Sequence, residues 1–149
     1  MEKEVIIREA KVNDIEKIME IERVSFENPW SKPSFFRVMV DDVTKFFVAD
    51  IDGKVVGYIV YWIIEDEAHV ANIAVHPEMR GRGIGKKLLE KVLLDSREKN
   101  VSCINLEVNE KNEVAKNFYF KYGFEIVGVR KRYYSGHDDA LLLTKKIER

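Results

Sequence analysis

The residues with the most chemical reach lie between 80 and 87. Arg80-Gly81-Arg82-Gly83-Ile84-Gly85-Lys86-Lys87 sets three glycines at alternate positions among cations. It leads into an apolar stripe of helical spacing at Ile84, Leu88, Leu89, Val92 and Leu93. A helix N-terminus presents unpaired N–H groups and the positive end of the helix dipole. Glycines let a ligand approach the main chain, and the cations add charge. These are the parts of a phosphate or pyrophosphate cradle. The alternative is a flexible loop feeding a surface helix, although glycines weaken a helix and three at its start need a reason. A Walker loop is excluded, because Lys86 is followed by Lys87 and not by a hydroxyl residue. A Rossmann fingerprint is excluded by the spacing of the glycines and by the strands that precede them.

Two further residues could move protons. Along 101–109, Ile104, Leu106 and Val108 share one face of a strand, and Cys103, Asn105 and Glu107 share the other. A strand covered by helices is usually apolar throughout, so Glu107 is costly if buried without a partner. Desolvation would raise its pKa toward neutrality and suit it to general-base work. Exposure or a salt bridge is the competing reading. Tyr119, on a helix that begins at Asn112, carries a phenol that could donate a proton, or it could be a core aromatic with its hydroxyl at the rim. Cys103 reads as a small core residue rather than a nucleophile. His69, His76 and His137 are scattered, and no metal site is expected from them.

The elements that must position these groups follow from periodicity. Val5 to Arg8 reads as a strand. Asn13-Asp14 caps a helix with the stripe Ile15, Ile18, Met19, Ile21 and Val24. Asn28-Pro29-Trp30-Ser31 breaks it, and a short helix spans 34–40. Strands at 46–50 and 55–64 flank an Asp52-Gly53 turn, and a third strand covers 68–75. After the glycine loop and its helix come a strand at 101–108, a helix from Asn112 to Gly123, and strands at 124–133 and 140–147. The order is β-α-α-β-β-β-α-β-α-β-β. The strand–helix–strand unit from 68 to 108 is long enough for a parallel crossover. The expected fold class is therefore α/β (α+β), with a mixed, mostly antiparallel central sheet and helices on both faces.

The 149 residues form one domain, 1–149, with 46% hydrophobic residues to fill a core. Twenty-five basic and 26 acidic residues leave a net charge of −1, which counts against a nucleic-acid binder. One cysteine makes no internal disulfide and suits a reducing cytoplasm. The charged N-terminus has no apolar signal region, and no apolar run is long enough to span a membrane.

With these residues in place, the sequence resembles the GNAT acetyltransferases. Their diagnostic loop, Arg/Gln-x-x-Gly-x-Gly/Ala, is matched by Arg80, Gly83 and Gly85. The resemblance implies that Arg80, Gly81, Arg82, Gly83, Ile84, Gly85 and Lys86 hold the pyrophosphate of acetyl-CoA. It also implies that Ile73, Ala74 and Val75 meet the pantetheine arm through their main chain. The longer pattern is most similar to the bacterial RimI group, which acetylates the N-terminal alanine of a small-subunit ribosomal protein. That pattern comprises Asn28-Pro29-Trp30-Ser31, Asn72-Ile73-Ala74-Val75, Leu106-Glu107-Val108-x-x-x-Asn112, Phe118-Tyr119-x-x-x-Gly123-Phe124 and Arg130-x-x-Tyr133-Tyr134. Archaeal N-terminal acetyltransferases share much of it.

By this resemblance Glu107 is the proton acceptor, Tyr119 the proton donor and Asn112 a coenzyme A contact. Trp30, Tyr133 and Tyr134 flank the acceptor, which is a protein or peptide N-terminus. Attack on a thioester needs a neutral amine, and the leaving thiolate gains from protonation. No covalent enzyme intermediate, metal or direct nucleic-acid contact is implied, and a monomer or weak dimer in the cytoplasm is expected. Two other functions compete. One is a polyamine or other small-amine acetyltransferase, for which Glu65-Asp66-Glu67 could supply an acidic pocket. The other is an acyl-CoA-binding module without catalysis.

Overall fold

A computed structural model describes residues 3–134 and 136–148, with Tyr134 represented by its backbone alone. Seven strands form one sheet: β1 (Ile6–Glu9), β2 (Thr44–Ile51), β3 (Lys54–Ile64), β4 (Glu67–Val75), β5 (Cys103–Asn109), β6 (Glu125–Tyr134) and β7 (Asp138–Lys146). Four helices accompany them: α1 (Ile15–Ser25), α2 (Lys32–Val40), α3 (Ile84–Glu98) and α4 (Glu113–Lys121). The spatial order is β1-β2-β3-β4-β5-β7-β6, antiparallel everywhere except between β4 and β5. The expected element order and sheet class are those observed.

β3 explains the two-sided core. Val55, Tyr58 and Val60 pack with Ile15, Ile18, Ile21 and Phe35 of α1 and α2. Val56, Ile59 and Tyr61 pack with Leu88, Leu89 and Val92 of α3. Successive strand residues point to opposite faces, and the register shift against β2 at Val56 changes the parity between Val55 and Tyr58, so one strand anchors both layers.

The feature that makes a site is the parting of β4 from β5. Their pairing covers only Glu67↔Cys103, Ala68↔Ile104 and His69↔Asn105. Ala71 is then an extra residue in β4, because Val60 pairs with Asn72 and Tyr61 with Val70. A bulge of this kind bends its strand. The C-terminal halves of β4 and β5 separate, and a cleft opens between them.

Several local expectations are corrected. Asp14 does not cap α1 with its side chain; its carboxylate accepts from the Lys11 N–H at 2.7 Å and pairs with Arg8 at 2.8 Å. Val24 faces solvent, and the buried face of α1 instead carries Glu22. Cys103 is half-buried on the open face of β5, not in the core, with Sγ 3.7 Å from Glu67 Oε1. Burial pushes its thiol up, which opposes thiolate chemistry. Pro33 stands in the first turn of α2 behind the Ser31 cap, so the helix starts at Lys32 and not at residue 34, and Asn100 follows α3 with φ of 57°.

Candidate active site

The cleft holds a cavity of about 730 Å³. Its walls come from the end of α1, the 26–30 segment, the C-terminal half of β4, the glycine loop, β5 and α4. Each sequence-read site residue can be placed against it.

The glycine loop is shaped as a cradle. Gly81 and Gly83 have φ of 80° and 78°, and an added Cβ at either would meet nothing within 4 Å. Here glycine serves the left-handed backbone and not a tight packing contact. Gly83 is the N-cap of α3, so the first N–H groups of that helix face out of the loop. Gly85 has a different reason: a Cβ there would lie 3.3 Å from the Phe118 ring of α4. Arg80, Gly81, Gly83, Ile84, Gly85 and Lys86 line the cavity, whereas Arg82 does not. The residues fit a pyrophosphate group, with open backbone, a helix N-terminus and cations at one place.

Ile73, Ala74 and Val75 line the same cavity. Their strand pairs with β3 on one side and has lost β5 on the other. Main-chain groups on that free edge can receive an extended ligand.

Glu107 lines the cavity from β5. The expected burial is not found. Its side chain is 31% exposed, and Oε1 lies 3.3 Å from Nε of Arg130. The salt-bridged alternative is the observed one, because no helix covers this face of β5. Tyr119 is the more buried of the two proton-transfer candidates, at 7% exposure, and its ring packs edge-on against Phe118 and Phe124. It still lines the cavity, so its two sequence readings are compatible. Asn112 caps α4 by accepting the Ala115 N–H at 3.1 Å, and it also faces the cavity.

Trp30 lines the cavity and its ring lies 5.2 Å from Phe35. Tyr133 stands outside the cavity on β6, with the Arg130 guanidinium 5.5 Å over its ring. The side chain of Tyr134 lies outside the described residues.

Sequence reasoning missed Glu22. It is 1% exposed, lines the cavity, and accepts hydrogen bonds from Tyr58 Oη, Asn72 Nδ2 and the Trp30 N–H. The signal was present: Glu22 follows Ile18 by four residues on the apolar stripe of α1, where a carboxylate needs partners. Ser25 Oγ is buried in the same wall and has no hydrogen-bond partner among the described residues. Among the described residues no group of His, Cys, Asp and Glu could hold a metal ion. None of their helices is long and apolar enough to cross a membrane.

Residues 15–124 match the acetyltransferase (GNAT) family model. The chain belongs to the GNAT acetyltransferase family. It is 34% identical to an N-alpha-acetyltransferase of Sulfurisphaera tokodaii, over 95% of this chain and 92% of that one. It is 32% identical to the ribosomal protein bS18-alanine N-acetyltransferase of Haemophilus influenzae, over 93% and 96%. The crystal structure of the ribosomal-protein-S18-alanine N-acetyltransferase from Escherichia coli superposes with a TM-score of 0.89 at 27% identity, over 98% and 96%. This GNAT protein is therefore an acetyl-CoA-dependent N-acetyltransferase, as the family resemblance implied.

Proposed function

We propose that this chain transfers acetyl from acetyl-CoA to the α-amine of a protein N-terminus, with alanine as first residue and a small-subunit ribosomal protein as acceptor. The observation that carries the reading is that Glu107, Tyr119, the free edge of β4 and the glycine loop line one cavity. The named relatives, which act on ribosomal protein bS18, point to the acceptor. The reading is of a single-domain enzyme over 1–149 that meets this acceptor in the cytoplasm.

In this mechanism Gly81, Gly83 and the first N–H groups of α3 bind the pyrophosphate, and Arg80 and Lys86 neutralise it. Main-chain groups of Ile73, Ala74 and Val75 bind the pantetheine arm and aim the thioester. A β4 N–H stabilises the charge that grows on the thioester oxygen. Glu107 takes the proton that the acceptor ammonium must lose before its lone pair can attack. Tyr119 gives its proton to the departing sulfur. Trp30 and the Arg130–Tyr133 pair border the acceptor peptide.

Glu65-Asp66-Glu67, the support for a polyamine acceptor, lies at the β3–β4 turn and does not line the cavity. A mass-spectrometric assay on N-terminal peptides tests the reading. Turnover confined to free polyamines would overturn it.

A further inference from the structure

We propose that Glu22 is the positioning residue of the acceptor site, its buried carboxylate locking the segment that carries Trp30 onto the strand that aims the thioester. The inference rests on the function proposed above. Glu22 grips the 26–30 segment at both ends. Its backbone carbonyl accepts the Phe26 N–H at 3.1 Å, and its Oε2 accepts the Trp30 N–H at 2.8 Å. Its other oxygen, Oε1, accepts from Asn72 Nδ2 at 2.8 Å and from the Tyr58 hydroxyl. Asn72 directly follows the Ala71 bulge and directly precedes Ile73.

One carboxylate therefore joins α1, the acceptor segment, β3 and the bulged half of β4. An apolar residue on this stripe would fill the core at lower desolvation cost. What it could not do is accept three hydrogen bonds from three different elements. Burial, followed by the Glu22 charge, holds the Tyr58 phenol well above its usual range, so Tyr58 stays a donor. All three partners are donors, and a group with acceptors only satisfies them.

Glu22→Gln keeps the shape and breaks this arithmetic. A carboxamide has one acceptor oxygen and an NH₂ that must face a donor. The single amide oxygen satisfies two donors where it faces Asn72 and Tyr58 and one where it faces Trp30, so the favoured orientation turns the NH₂ toward the Trp30 N–H, which loses its acceptor. In the variant, amide hydrogen exchange at Trp30 is expected to accelerate by about tenfold or more, with the core amides of Ile59 and Val60 unchanged. The KM for an acceptor peptide is expected to rise by about tenfold and that for acetyl-CoA by less than about twofold. Unchanged exchange at Trp30, or equal rises in both KM values, overturns the proposal.

If Glu22→Gln does not fold, Tyr58→Phe removes one donor to the same carboxylate and keeps the ring. It is expected to raise the acceptor KM alone, by about threefold, and an unchanged acceptor KM overturns the role. The exchange measurement needs no turnover. A wild-type protein that acetylates no peptide therefore defeats the proposed function, while Trp30 exchange still judges Glu22.

Discussion

Nε of Arg130 lies 3.3 Å from Oε1 of Glu107, although β7 runs between their strands. Glu107 pairs across β5–β7 with Leu142, and Leu142 pairs across β7–β6 with Gly128, two residues before Arg130. The guanidinium reaches over β7 to the carboxylate, and its other face lies over the Tyr133 ring. The pair ties the proposed proton acceptor to β6, the strand proposed to border the acceptor peptide. It is exposed at both ends, so its worth is orientation rather than stability.

Arg130→Ala is accordingly expected to lower kcat/KM by about tenfold while changing unfolding free energy by less than about 0.5 kcal/mol. Steady-state kinetics beside a denaturant titration check this. A large stability loss with unchanged kinetics would assign the pair to the fold instead.

Glu107→Gln and Tyr119→Phe should each lower kcat by about a hundredfold, the usual scale for losing one general acid or base. Tyr119→Phe keeps the packing against Phe118 and Phe124, so its stability should be close to that of the parent. Binding of acetyl-CoA, followed by calorimetry, should be retained in both. A non-catalytic acyl-CoA-binding module would show no change in either variant.

Much of this site was legible in the sequence because its signals are local. The glycine alternation, the helix start at Asn112 and the strand alternation along 101–109 each sit within one element or one junction. Glu107 was placed on the correct face, but burial and a salt bridge were both left open as its environment. Its partner is 23 positions away on the edge strand β6, and β7, which follows β6 in sequence, is inserted between β5 and β6. Glu22 was missed for the same reason, since Tyr58 and Asn72 lie 36 and 50 residues on. Long-range partners of a charged residue are set by strand order, and periodicity does not encode strand order.

Gly83→Ala should destabilise by about 1 kcal/mol and raise the acetyl-CoA KM, because φ of 78° is costly for a residue with Cβ. The space for the methyl is open, so strain and not collision is the cause. Arg80→Ala should raise the same KM with no backbone strain and less effect on kcat. Thermal unfolding and acetyl-CoA titration separate the two; a strain-free Gly83→Ala would contradict the cradle geometry.

Asp14 predicts an acid-sensitive anchor for α1. The Arg8 guanidinium first, and the Lys11 N–H after it, hold its carboxyl below the usual range, despite an opposing contribution from burial. A carboxyl with a depressed folded pKa stabilises the protein above its unfolded pKa, about 3.9. That stability is lost as pH falls through the folded value. Asp14→Asn should cost about 2 kcal/mol at neutral pH, and the difference from the parent should shrink below about pH 4. A difference independent of pH would contradict the ion-pair account.

The central claim is tested most directly by incubating the protein with acetyl-CoA and an N-terminal alanine peptide that also contains an internal lysine, then locating the acetyl group by fragment mass spectrometry. The account predicts one acetyl on the α-amine, none on the lysine, and almost none anywhere with Glu107→Gln. Acetylation of the lysine instead, or equal product from Glu107→Gln, would contradict it.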